Sequence, residues 1–205
     1  MSAARDGALF FQARHTGVVL TAVVVVGAAC LLVGQHRFPL PGVHADDGAP
    51  VAIPVALVAP LLLASLLVLS VEARHVALME EGSSRRLAVW HLAHRIACMA
   101  GTLAVVSLST LQLRGGLACL STVRNTMLLT GVGWMMTGVV GATRAAIVAC
   151  GIGVLLLTIG AGWQGDPLIQ PDGDLPTLWC AVVILAVGVL ASILPAGSFV
   201  NRRRE

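Results

Sequence analysis

Apolar residues run almost unbroken through six stretches of this chain, and polar residues gather between them. The stretches cover residues 16–34, 51–71, 96–113, 123–141, 145–162 and 177–195. Each is close to the length a helix needs to cross a hydrocarbon layer about 30 Å thick. The intervening stretches are rich in turn formers. Residues 35–50 contain Pro39, Pro41, Gly42, Asp46, Asp47 and Gly48, and residues 163–176 contain Gly165, Pro167, Pro171, Gly173 and Pro176. Such residues end helices. The pattern predicts an all-α polytopic membrane protein, a single transmembrane domain over residues 1–205 with six transmembrane helices. The longest loop, 72–95, has 24 residues and is too short for a separate soluble domain.

The first stretch has basic residues before it and small residues within it, as a secretory signal does. Its apolar run continues past Cys30 to Val33 and five more spans follow, so it reads as a retained span.

Charge sets an orientation. Ten of the thirteen arginines fall on one side of the predicted membrane: Arg5, Arg14, Arg74, Arg85, Arg86, Arg95, Arg144, Arg202, Arg203 and Arg204. Only Arg37, Arg114 and Arg124 fall on the other. Cytoplasmic loops carry the basic excess, so both termini and the 72–95 loop are expected in the cytoplasm. The outer loops are acidic, and Trp163 and Trp179 flank the last of them, as an interfacial aromatic belt would.

Composition agrees. The chain is 57% hydrophobic and 11% charged, against roughly 25% charged in soluble proteins. The five cysteines are scattered singly, without metal-ligand spacing. There is no lysine, so no GxxxxGK[ST] phosphate loop exists on this chain.

The predicted span cores hold no ionisable residue. Intramembrane proton relays and ion paths are built from such residues, so an ion-driven transporter acting alone is not expected, nor is an intramembrane protease with paired aspartates. The polar atoms of the spans are Ser65, Thr102, Ser107, Ser109, Thr110, Thr130, Thr137 and Thr158, and most are expected to bond back within their helix or to a neighbour. Pro54 and Pro60 interrupt the second span and would bend it as a static kink or a hinge. Gly131, Gly133, Gly138 and Gly141 concentrate small residues on the fourth span, which suits close helix packing or a subunit interface.

One long charged stretch interrupts the apolar pattern: SVEARHVALMEEGSSRRLAVWHLAHR, residues 70–95. Glu72 through Glu81 reads as a short helix stopped by Gly82. A second helix starts near Arg85 after a serine cap and continues into the third span. Glu80 and Glu81 at a helix C-terminus, and Arg85 and Arg86 at an N-terminus, oppose the helix dipole by about 0.3–1 kcal/mol each. The positive-inside bias accounts in part for the arginines but not for the glutamates, so the stretch reads either as an ordinary solvated loop or as a surface whose glutamates a partner reads. His91 and His94 share a helix face, but no motif completes a metal site, so no metal is expected.

The whole pattern resembles the small six-span membrane (permease) subunits of type-2 ABC exporters of the actinobacterial type. It carries Glu-Ala-Arg at 72–74 after the second span, Val-Arg-Asn at 123–125 opening the fourth, and Trp-Gln-Gly-Asp-Pro-Leu at 163–168. The resemblance implies a short cytoplasmic coupling helix between spans two and three, with Glu72, Arg74, His75, Glu80, Glu81, Arg85 and Arg86 meeting an ATP-binding subunit. It implies that ATP and magnesium are held by that partner, with no cofactor and no enzymatic activity on this chain. It also implies a second membrane subunit, as a homodimer or with a sibling permease, and an interfacial N-terminal helix at 8–17. The expected function is export of an amphipathic cargo (lipid, peptide or natural product) within membrane lipid, with no role in nucleic-acid binding. Two alternatives remain: a non-transporting scaffold or anchor subunit, and a lipid-modifying enzyme using His75, His91 and His94.

Overall fold

The computed structural model describes residues 16–44, 48, 50–71, 86–110, 116–160 and 175–193. Helix dominates these residues. We number the helices α1 (Thr16–Val33), α2 (Ala59–Leu69), α3 (Arg86–Thr110), α4 (Gly116–Val140), α5 (Ala142–Gly160) and α6 (Leu175–Ile193). Side-chain neighbours fix their directions. Thr16 meets His94 and Gly27 meets Val105, so α1 and α3 run parallel. Arg95 meets Ser192, so α6 opposes α3. Gly133 lies against Val68 and Ala149, while Gly153 lies against Leu61 and Leu129, so α5 opposes α2 and α4. The bundle alternates up and down, with α4 at its centre, packed against α6, α2, α5 and α3.

Among the described residues, two helices are long and apolar enough to cross a membrane: Thr16–Val33, with mean hydropathy 2.6, and the segment Val89–Thr110 of α3, with mean hydropathy 1.4. Val55–Leu69, Ala142–Leu157 and Pro176–Ser192 are apolar but shorter.

The 35–50 stretch and the start of the second apolar run depart from the expected all-helical pattern. Strands β1 (Arg37–His44) and β2 (Pro50–Pro54) form an antiparallel hairpin, with Arg37 opposite Pro54, Phe38 opposite Ile53 and Pro39 opposite Ala52. A two-stranded ribbon has only edges, so prolines can sit where no ladder donor is needed. The hairpin is tied to the end of α1 through Val55 N–H donating to His36 O at 2.9 Å and Ala56 N–H donating to Gly34 O at 3.2 Å. A 3₁₀ turn over Val55–Leu57 then leads into α2.

Neither proline lies in a helix interior, and so neither kinks one. Pro54 ends β2, and Pro60 sits in the first turn of α2, where the N–H it lacks would have no helical acceptor. The expected helix from residue 51 therefore starts at Ala59. By contrast, the helix expected from about Arg85 into the third span is present as the unbroken α3.

Gly141 separates α4 from α5. Its φ of +82° favours glycine. Its N–H donates to Thr137 O at 3.1 Å, closing α4, and its carbonyl accepts from Ala145 N–H at 2.9 Å, opening α5. One residue thus ends one helix and starts the next.

Candidate functional site: polar groups inside an apolar bundle

Many large apolar side chains are exposed, and a set of polar ones is buried beside the apolar core. The bundle surface exposes Val18, Val25, Leu32, Leu108, Val139, Ile147 and Leu190 among other large apolar side chains. Its interior buries His94, Arg95, Ser121, Thr122, Arg124, Asn125, Thr126 and Thr130. Hydroxyls satisfy themselves locally, as the sequence suggests: Ser65, Thr102, Ser109, Thr110 and Thr137 all donate to carbonyls three or four residues earlier. Thr130 differs, because its buried hydroxyl meets no hydrogen-bond partner among the described residues.

At the end of the bundle where α3 begins, two adjacent residues tie the helices together. His94, 1% exposed, shares a 3.0 Å hydrogen bond between its Nδ1 and Thr16 Oγ1 at the start of α1. Cys98 Sγ lies 3.9 Å from both ring nitrogens. Arg95, 3% exposed, reaches the last turn of α6. Its Nη1 donates to Val189 O at 3.2 Å and to Ser192 Oγ, and its Nη2 donates to Ser192 O at 2.9 Å. The last carbonyls of a helix lack intrahelical donors and carry the negative end of its dipole, so the guanidinium fits both their geometry and their charge.

The guanidinium also stands 5.9 Å over the ring of Trp134 on α4. That indole is fully buried and donates from Nε1 to Leu67 O on α2 at 3.2 Å. His94 and Arg95 therefore link α3 to α1, α6 and α4, and through Trp134 to α2.

A second polar group lies toward the opposite end. Arg124 is buried in the third turn of α4. Its Nε donates to Asn125 Oδ1 at 3.2 Å, and its Nη1 reaches Thr177 Oγ1 in the first turn of α6 at 3.4 Å.

These placements bury ionisable residues in the bundle, beside spans that the sequence reads as free of them. His94 and Arg95 precede the predicted third span, yet the helix buries them, because α3 begins ten residues earlier than that span. Arg124 was expected at a membrane end, but α4 begins at Gly116, seven residues before the predicted span, and carries Arg124 inward.

The glycines of α4 divide into three environments. A Cβ on Gly131 would stand 2.8 Å from the backbone of Ile184 and Leu185 on α6, and Gly133 packs against Val68 and Ala149. Gly138 has open space around it, and Gly141 forms the turn. Glu72, Arg74, His75, Glu80, Glu81 and Arg85, like residues 8–15 of the 8–17 segment, lie outside the described residues; Thr16 and Gly17 open α1, and Arg86 is the first residue of α3. No group of three His, Cys, Asp or Glu side chains able to hold a metal is present among the described residues. No protein-family model, curated protein or solved structure matches this chain.

Proposed function

We propose that this chain is the membrane-spanning subunit of an ATP-driven exporter whose ATPase is a separate chain. In this reading it lies in a bacterial cytoplasmic membrane with six spans and both termini inside, paired with a second membrane subunit. It moves an amphipathic cargo, and ATP and magnesium are bound by the partner.

The observation that carries the membrane part is this distribution of side chains. A bundle with valine and leucine outside and arginine, asparagine and threonine inside suits lipid as its surroundings. The alternating up-down course of six helices returns the chain to the side on which it starts, in keeping with the ten-to-three arginine split. The transport part rests on the resemblance and on the charged block at 72–86. That block joins α2 to an α3 of 25 residues, about 37 Å long and so longer than a hydrocarbon core. Such a helix extends beyond the lipid toward the side where a partner would dock.

The test is recovery of the tagged chain from its native membrane, with and without Glu80→Arg and Glu81→Arg. Co-purification of an ATP-binding subunit with the parent chain, lost in the double variant, is the expected result. Reversing charges at a partner contact costs on the order of 2–5 kcal/mol, enough to release most of the partner. Recovery of a complex without any ATPase would favour the scaffold reading. An ATPase retained equally by both chains would remove the charged block from the interface.

A further inference from the structure

We propose that Arg95 is a reversible latch, which in its closed state holds the inner end of α3 against the inner end of α6. The latch belongs to the bundle itself and stands whether the charged block meets an ATPase or another partner.

Three observations support it. First, α3 and α6 share little packing apart from this contact, whereas α4 and α6 pack along most of their lengths. The three acceptors on Val189 and Ser192 therefore supply much of what joins the two helices. Second, the contact is polar and replaceable. Arg95 lies six residues into the apolar segment that starts at Val89, about 9 Å from its edge along the helix. An arginine stem can carry the guanidinium much of that distance to interfacial water. The carbonyls of Val189 and Ser192 lie in the last turn of α6 and would face the same water. Both separated halves can be solvated, so an open state is accessible, as it would not be if a broad apolar contact had to part. Third, the latch lies at a junction. Arg95 is nine residues along α3 from Arg86, where the charged block ends, and α3 is continuous between them. Neighbouring His94 anchors the same turn of α3 to Thr16 on α1. A pull on the charged block therefore reaches Arg95 along a rigid helix that meets α6 at few other points.

The test measures distances between spin-label amino acids incorporated by genetic code expansion, which leaves the native cysteines in place. One pair, at Leu92 and Leu190, reports the inner ends of α3 and α6. The other, at Leu108 and Trp179, reports their outer ends; all four positions are exposed. The full chain is studied in lipid nanodiscs as the parent, Arg95→Met, Arg95→Lys and Ser192→Ala. Methionine retains the apolar stem without the charge, and lysine retains the charge without the fork. The expected result is a longer and broader inner distance for Arg95→Met, a smaller change in the same direction for Arg95→Lys and Ser192→Ala, and an unchanged outer distance in all three. An inner distance that stays at the parent value in Arg95→Met overturns the proposal. So does a concerted change of both distances, which would make Arg95 a general support of the fold. If Arg95→Met cannot be recovered from membranes, Ser192→Ala decides: inner widening supports the latch, and no change overturns it.

Discussion

Gly188 of α6 and Gly151 of α5 invite the same substitution with opposite outcomes. A Cβ on Gly188 would fall 2.9 Å from Gly131 Cα and 3.0 Å from its carbonyl carbon, and closer still to its oxygen. Carbon atoms pack comfortably at about 3.5–4.0 Å, so Gly188→Ala must push α4 and α6 apart by roughly 0.5–1 Å. The obstacle is backbone, which no rotamer change can clear. Gly151 lies mid-helix with nothing within 4 Å of its Cβ position. Alanine in place of glycine stabilises a helix interior by about 0.5–1 kcal/mol at either site. That contribution cancels when the two variants are compared. The difference between them then isolates the helix contact, and overpacking of this kind costs about 1–3 kcal/mol.

Equilibrium unfolding in mixed micelles, with SDS as the denaturant and helical circular dichroism as the signal, measures this difference. Gly151→Ala should match or exceed the parent, and Gly188→Ala should fall below it. Gly131→Ala meets the same interface from the other side, since its Cβ would lie 2.8 Å from the backbone of Ile184 and Leu185. Once one alanine has separated the helices, the second should cost less, so the double variant should be less destabilised than the sum of the singles. Equal stability of Gly188→Ala and Gly151→Ala would refute the close α4–α6 approach.

Trp134→Phe removes the indole N–H that reaches Leu67 O and should destabilise the bundle by about 1–2 kcal/mol in the same unfolding assay; a neutral effect would remove Trp134 as a link between α2 and α4. Gly141→Ala places a side chain on a residue with φ of +82° and should cost about 1 kcal/mol by the same measurement, whereas Gly138→Ala, in open space, should not. A single cysteine at position 83, on a cysteine-free background, should resist a membrane-impermeant maleimide applied to intact cells and react once the cells are opened; labelling from outside would reverse the orientation drawn from the arginines.

The sequence reveals the helices better than their ends. Apolar composition locates all six helices, because it is a property of the whole segment. It does not locate the second one's start: residues 51–58 are as apolar as those that follow, and it is the prolines at 50, 54 and 60, together with the pairing to β1, that hold the first of them in a strand. The short hairpin itself has no clear alternating pattern, being punctuated by Pro39, Pro41 and Gly42. His94 and Arg95 are missed for another reason. A span read by hydropathy stops at the first charge, but here the helix continues for nine residues on the far side of that charge. What retains Arg95 inside is a set of carbonyls from residues 189 and 192, nearly a hundred positions away, which no local pattern announces. Arg124 and Asn125 follow the same logic, with Thr177 as the distant partner.

The central helix also narrows how two copies of this bundle could meet. Buried polar groups are costly in lipid, at about 2.5–3.5 kcal/mol for an arginine at mid-membrane on insertion scales, so the face of α4 bearing Arg124, Asn125, Thr126 and Thr130 must stay covered by its own chain. The glycines that would suit an intersubunit seam are largely occupied in the same way. Gly131 is filled by α6, and Gly133 by Val68 and Ala149 of α2 and α5. Gly138, beside the highly exposed Val139, remains open. Gly131 and Gly133 thus serve packing within one chain, and a second membrane subunit would meet mainly other helices, whose exposed surfaces are largely apolar. Contacts of that kind resemble those made with lipid, so their strength depends on shape fit and not on exclusion of water. A pairing built this way would be separable by detergent more readily than the bundle itself, which is also held by buried hydrogen bonds from Arg95 and Trp134.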